Sequence, residues 1–128
     1  MIFSPEHFRE LTPERATAVF PASWPVFAGH FPGSPVVPAC TLVGLVLAHA
    51  ESSLGPLALA AIDRMKLARG VGPDEPVTSE LTIERQEPGE RQRQEAGKHQ
   101  EAGVKLRSRL SSASGEVGTL VISARVGA

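Results

Sequence analysis

At 128 residues, with 13 basic and 14 acidic side chains and a formal charge of -1, the chain is sized for a single domain, residues 1–128, and carries no global field for nucleic acid or an anionic membrane. A single cysteine, Cys40, excludes an internal disulfide, fits a reducing compartment and lacks the companion ligands of a metal site, so no metal or other cofactor is expected. The opening residues MIFSPEHFRE have an early proline and two acids where a secretory peptide needs basic then apolar residues, which points to the cytoplasm.

Residues 1–13 are weakly patterned; Phe3, Phe8 and Leu11 are suited to cover one edge of a core, without an assigned element. Residues 15–20, RATAVF, predict a short strand, after which Pro21 and Pro25 restrict the chain to edge or loop geometry. Trp24, Val26 and Phe27 then read as apolar packing beneath a loop.

The stretch 29–50, GHFPGSPVVPACTLVGLVLAHA, organises the rest. A histidine sits in a Pro/Gly-rich turn and an apolar run follows at once. Val37 precedes a proline and is biased to extended geometry, while Pro38 suits the first position of a helix. The helix is predicted to run to Ser52 or Ser53, where Gly55 and Pro56 supply a left-handed cap and a stop. Leu42, Val43, Leu45, Val46 and Leu47 occupy every side of the cylinder, which predicts burial all round, with Cys40 as a small core residue and His49 as a helix-end histidine with a satisfied hydrogen bond. The run is well short of the roughly 20 apolar residues that span a bilayer.

The C-terminal half supplies the wrapper. Residues 57–69 predict a half-buried strand in which Met65 and Leu67 alternate with Arg64, Lys66 and Ala68. Residues 77–85, 104–110 and 116–126 continue at period two, with Ser114-Gly115 closing a hairpin between the last two. Residues 87–103, EPGERQRQEAGKHQEAG, are nearly empty of apolar side chains and read as a mobile hairpin extension with a solvated His99. One buried helix and a series of alternating strands predict an α+β domain, a curved antiparallel sheet folded around a central helix.

His30-Phe31-Pro32-Gly33, then Pro35, Val36, Val37 and Pro38 and the apolar helix, resemble the β-hydroxyacyl-acyl carrier protein dehydratases, hot-dog-fold enzymes of fatty acid synthesis. The resemblance is specific over residues 27–47 and architectural beyond it. Removing water from a 3-hydroxyacyl thioester needs a base at the carbon next to the carbonyl, a donor for the enolate oxygen and an acid for the leaving hydroxyl. His30 fits the base. The family position of the donor amide is Ala39, at a helix N-terminus whose free N–H groups favour negative charge. Val36 matches the position whose carbonyl orients the histidine, and Gly33 belongs to the substrate-facing turn.

The acid departs from the pattern. Relatives carry Glu or Asp on the helix, fourteen residues past the motif histidine, and that position is Gly44. Glu51 lies two turns further on and Asp63 on another element. The resemblance implies a dimer whose sites combine the histidine of one subunit with the acid of the other, so a homodimer or a heterodimer with a dehydratase-like subunit is expected, and a mixed pair would have one complete site. Arg64, Lys66 and Arg69 lie where an acidic acyl carrier protein would dock, although a solvated strand face explains them as well. The expected activity is dehydration of a 3-hydroxyacyl thioester in fatty acid, polyketide or related lipid synthesis; the alternatives are a non-catalytic hot-dog protein that binds an acyl carrier or stabilises a true dehydratase, and a hot-dog thioesterase or isomerase.

Overall fold

The computed structural model describes residues 8–23, 37, 39–86 and 103–127. Over these residues the chain forms β1 (Phe8–Leu11), β2 (Arg15–Ala18), α1 (Ala39–Leu54), β3 (Leu57–Leu67), β4 (Val77–Gln86), β5 (Gly103–Ser112) and β6 (Gly115–Val126). The six strands make one sheet in the order β1-β2-β4-β5-β6-β3, with every neighbouring pair antiparallel. The predicted hot-dog arrangement of a sheet against a single long helix is the one observed. Residues 87–102, read from sequence as a hairpin extension, lie outside the described residues, as do Phe3, Trp24, Val26 and Phe27.

The period-two patterns translate directly into one buried face. Val77, Leu81, Val104, Leu106, Leu110, Leu120, Ile122 and Ala124 point to α1 and are almost fully buried, while Glu80, Thr82, Glu84, Arg107 and Arg109 occupy the outer face. Fully burying one such aliphatic side chain stabilises by about 1.5–3 kcal/mol, so this layer is the main cohesive contribution against chain entropy. The β5–β6 connection is a two-residue turn, with Ser112 opposite Gly115 and Gly115 at φ +126. Helix α1 ends as its sequence dictates: Gly55 adopts φ +79 and its N–H donates to the Glu51 carbonyl at 2.9 Å.

Strand β1 has no clear signal in the sequence. Its FREL segment does not alternate, and it exists because β2 offers it a partner register, Leu11 opposite Ala16, closed by a Thr12 turn in which the Thr12 hydroxyl donates to the Arg15 carbonyl and accepts from the Arg15 N–H, both at 3.0 Å.

Two burial expectations are corrected. Helix α1 is not buried all round within one chain: Cys40 is exposed and Gly44 and Leu47 are only half-buried, so the face at i, i+4 and i+7 from Cys40 is open. The sheet covers one side of the cylinder, and the thiol falls on the other. Strand β3 is not half-buried either; Leu59, Ile62 and Leu67 are 43%, 46% and 40% exposed. It is an edge strand beyond β6, where Leu57 and Met65 still pack against the core while Leu59, Ile62 and Leu67 stay largely uncovered.

Candidate active site at the helix N-terminus

Three of the residues nominated from sequence, His30, Gly33 and Val36, lie outside the described residues. Of the others, Ala39 and Gly44 lie on α1, and Arg64, Lys66 and Arg69 lie on or just past β3. Ala39 is the first residue of α1, and in a regular helix the N–H groups of the first turn have no acceptor within the helix. Two residues earlier, Val37 is 5% exposed and its N–H donates to the carbonyl of Val71 at 2.7 Å, which ties the approach to the helix onto the loop between β3 and β4. No acidic side chain stands in the first turn of α1, where the helix dipole leaves partial positive charge.

Gly44 follows on the open face of α1, roughly 7–8 Å along the axis from Ala39 at the usual rise per residue. The helix carries one carboxylate, Glu51, and it is committed elsewhere: its Oε2 accepts from the Leu57 N–H at 2.9 Å, bracing the turn into β3. Asp63 on β3 accepts from the Ser123 hydroxyl on the outer side of the sheet. Neither substitutes for an acid at Gly44. Among the described residues no cluster of His, Cys, Asp and Glu could hold a metal ion.

His49 lies ten residues beyond Ala39 and is buried completely. Its Nε2 is 2.8 Å from the Thr12 carbonyl, which only accepts, so Nε2 carries the proton; Nδ1 then accepts from the Ser79 hydroxyl at 3.0 Å, and Ser79 accepts from Ser108 at 2.7 Å. Burial lowers the His49 pKa, opposed by the Thr12 hydrogen bond and the Glu14 charge. The ring is hydrogen-bonded at both nitrogens, as expected of a histidine near the helix end.

The nominated docking cations divide. Arg64 faces Val121 and Lys66 faces Thr119 across β3 and β6, while Arg107 and Arg109 face the same two residues from β5, giving two cross-strand rows of cations on the outer face. They line a groove of about 760 Å³ together with Glu80 and Glu116, on the side of the sheet away from α1. Arg107 is paired with Glu84 at 3.0 Å and Arg109 with Glu116 at 3.7 Å, whereas Arg64 and Lys66 have no ion pair among the described residues. Arg107 and Arg109 were not nominated from sequence because only strand register aligns them with β3. Arg69 is different: its guanidinium is ion-paired with Glu75 and donates to the Ser112 hydroxyl, so its charge is offset internally.

A six-stranded antiparallel sheet in this order with one long helix lying on it defines a hot-dog protein. The ApeI dehydratase family model matches residues 10–104, and the chain belongs to this ApeI-like family. Among solved structures it is similar to the dehydratase heterocomplex ApeI:P from Xenorhabdus doucetiae, at 16% identity and a TM-score of 0.64 over 93% of this chain and 94% of the other. It is also similar to the ChsH1-ChsH2 complex from Mycobacterium tuberculosis, at 15% identity and a TM-score of 0.53 over 72% and 62%, and to a hypothetical thioesterase with coenzyme A from Streptococcus pneumoniae, at 10% identity and 0.54 over 93% and 83%. No curated protein sequence matches the chain significantly. No helix among the described residues is long and apolar enough to cross a membrane.

Proposed function

We propose that this chain is a dehydratase-like subunit that removes water from a 3-hydroxyacyl thioester in a dimer whose second member brings the general acid. Family membership supports the reaction class. The observation that carries the division of labour is Gly44, an open helix position without a carboxylate, on a helix whose sole acid is already hydrogen-bonded to Leu57.

In this mechanism the His30 imidazole takes the proton from the carbon next to the thioester carbonyl. Negative charge moves onto the carbonyl oxygen, where the Ala39 N–H and the helix dipole stabilise it. As the enolate collapses, the double bond forms and the C3 hydroxyl leaves as water, taking its proton from a carboxylic acid on the partner. Val36 and Gly33 shape the turn that presents the histidine. Loss of a general acid lowers such a rate by about two to four powers of ten, which makes a partner acid the difference between a slow and a competent site.

Strand β3 supports the dimer. Among the described residues its outer edge is unpaired, and Leu59, Ile62, Met65 and Leu67 lie on the same face as Ala124, Ile122, Leu120 and Gly118 opposite them, so an apolar stripe extends the core face to the margin of the sheet. A long exposed edge of this composition invites a second strand. Two of the similar structures are complexes of two kinds of chain, which favours a non-identical, dehydratase-like partner over a second copy. Arg64 and Lys66, flanked by Arg107 and Arg109, suit an acidic acyl carrier protein delivering the substrate.

The test is enoyl product formation from a 3-hydroxyacyl thioester by the purified chain, alone and with a dehydratase-like subunit. Activity only in the mixture, abolished by His30→Ala in this chain, is the expected result. Activity that survives His30→Ala removes the mechanism. Absence of turnover in either case favours the second reading, which Gly44 also motivates, a non-catalytic hot-dog subunit that binds an acyl carrier or stabilises a dehydratase.

A further inference from the structure

The loop between β3 and β4, residues 68–76, is tied down more heavily than a surface connection requires. Ala68 and Arg69 donate backbone N–H groups to the Val117 carbonyl at 2.7 and 3.4 Å. Asp74, at φ 61, donates its N–H to the carbonyl of the fully buried Phe20 at 2.8 Å. Val71 is fully buried, and its carbonyl receives the Val37 N–H at 2.7 Å. The side chain at the root of this loop is Arg69. It donates to the Gly70 carbonyl at 3.2 Å and also to the Glu75 carboxylate and the Ser112 hydroxyl, closing both ends of the loop on each other and on the end of β5. Its Nε is buried without a partner among the described residues, while the side chain as a whole is half-buried.

We propose that Arg69 is a positioning residue: by clamping Glu75 and Ser112 it fixes the loop so that the Val71 carbonyl seats Val37 and, through it, the first-turn amides of α1 that receive the thioester oxygen. This rests on the dehydration reading above only for its catalytic consequence; the seating of Val37 stands on hydrogen bonds alone. The planar fork of the guanidinium reaches carboxylate and hydroxyl together, which a lysine ammonium at the same place does not reproduce. Misplacing a donor by about an ångström costs on the order of a hundredfold in rate without removing substrate contacts, so the expected loss falls on kcat.

Amide hydrogen exchange resolved at Val37 and at Leu106 provides one readout, and kcat and KM of the active assembly on a 3-hydroxyacyl thioester the other, for Arg69→Met, Arg69→Lys and Glu75→Gln. The expected result is exchange at Val37 at least about tenfold faster in each variant with Leu106 unchanged, and kcat reduced about tenfold or more with KM within about twofold. Unchanged Val37 exchange overturns the clamp. Acceleration at Val37 and Leu106 alike in all variants also overturns it, since the residue then serves global stability only. Faster Val37 exchange with unchanged kcat overturns the catalytic role while leaving the clamp. A wild-type assembly with no dehydration activity sinks the proposed function, and the exchange result still decides the clamp.

Discussion

The Nδ1 of His49 and the Oγ of Ser79 lie 3.0 Å apart in a fully buried pair that joins the far end of α1 to the second residue after the start of β4. The hydroxyl donates to the ring, and the ring donates from its other nitrogen to Thr12, so one neutral imidazole fastens helix, sheet and the β1–β2 turn. His49→Ala leaves Ser79 and the Thr12 carbonyl short of partners and opens space in the core; a loss of about 2–4 kcal/mol is expected, read from chemical denaturation at neutral pH.

The same pair sets a pH dependence. Burial holds the folded-state pKa of His49 below its ordinary value of 6.5, so the unfolded chain binds more protons as the pH falls past 6.5. Stability is therefore fully present above that value and declines as the pH drops toward the lowered folded value. Comparing wild type with His49→Ala between neutral and mildly acidic pH isolates this contribution. A slope that is the same in both proteins would contradict it.

Gly118 is closely crowded by β3. A Cβ built there meets the Lys66 carbonyl oxygen at 2.2 Å and the Leu67 Cα at 3.0 Å, both backbone. Gly118→Ala is expected to push β3 from β6 and to lower the melting temperature by several degrees, about 2 kcal/mol or more, because neither contact can move aside as a flexible side chain would. A melting point within a degree of wild type would show that the strands slide to accommodate it.

The exposed stripe on β3 makes a separate prediction. Ile62→Lys removes apolar area from a residue that is 46% exposed in one chain and is expected to leave the fold of the isolated chain nearly unchanged, within about 0.5–1 kcal/mol. It should abolish dimer formation in sedimentation equilibrium, with partner or with a second copy. A dimer that persists would place the interface on another surface.

Gly44→Glu tests the acid directly. A carboxylate at that position on the open face of α1 supplies the missing proton donor to a site formed with a second copy, and replacing a mid-helix glycine is itself favourable by about 0.5–1 kcal/mol. Turnover of the chain by itself is expected to rise about a hundredfold or more, followed as enoyl product, with no fall in melting temperature. An unchanged rate in a folded, dimeric variant would show that more than the acid is absent.

What sequence alone determined is local. Pro38 and Gly55 bracket α1 to within a residue or two, because fixed φ at one end and positive φ at the other are properties of single residues. Strands β4, β5 and β6 were legible from period-two alternation, since each has one face against the helix and one in water. The motif around His30 and the nomination of Ala39 and Gly44, on which the proposed function rests, likewise come from spacings along the chain.

Tertiary structure decided everything that depends on which element lies beside which. The sequence of β3 alternates as if one face were buried, and only the strand order puts it at the margin, where its apolar side stays exposed. Cys40 sits in an apolar run and still faces outward, because a single sheet covers one side of a helix. Arg69 stands in sequence beside Arg64 and Lys66, yet the fold turns it to Glu75 and Ser112 and aligns Arg107 and Arg109 with the other two in its place. Register across a sheet and the facing of a long side chain are set by contacts between residues far apart in sequence, and no local pattern encodes them.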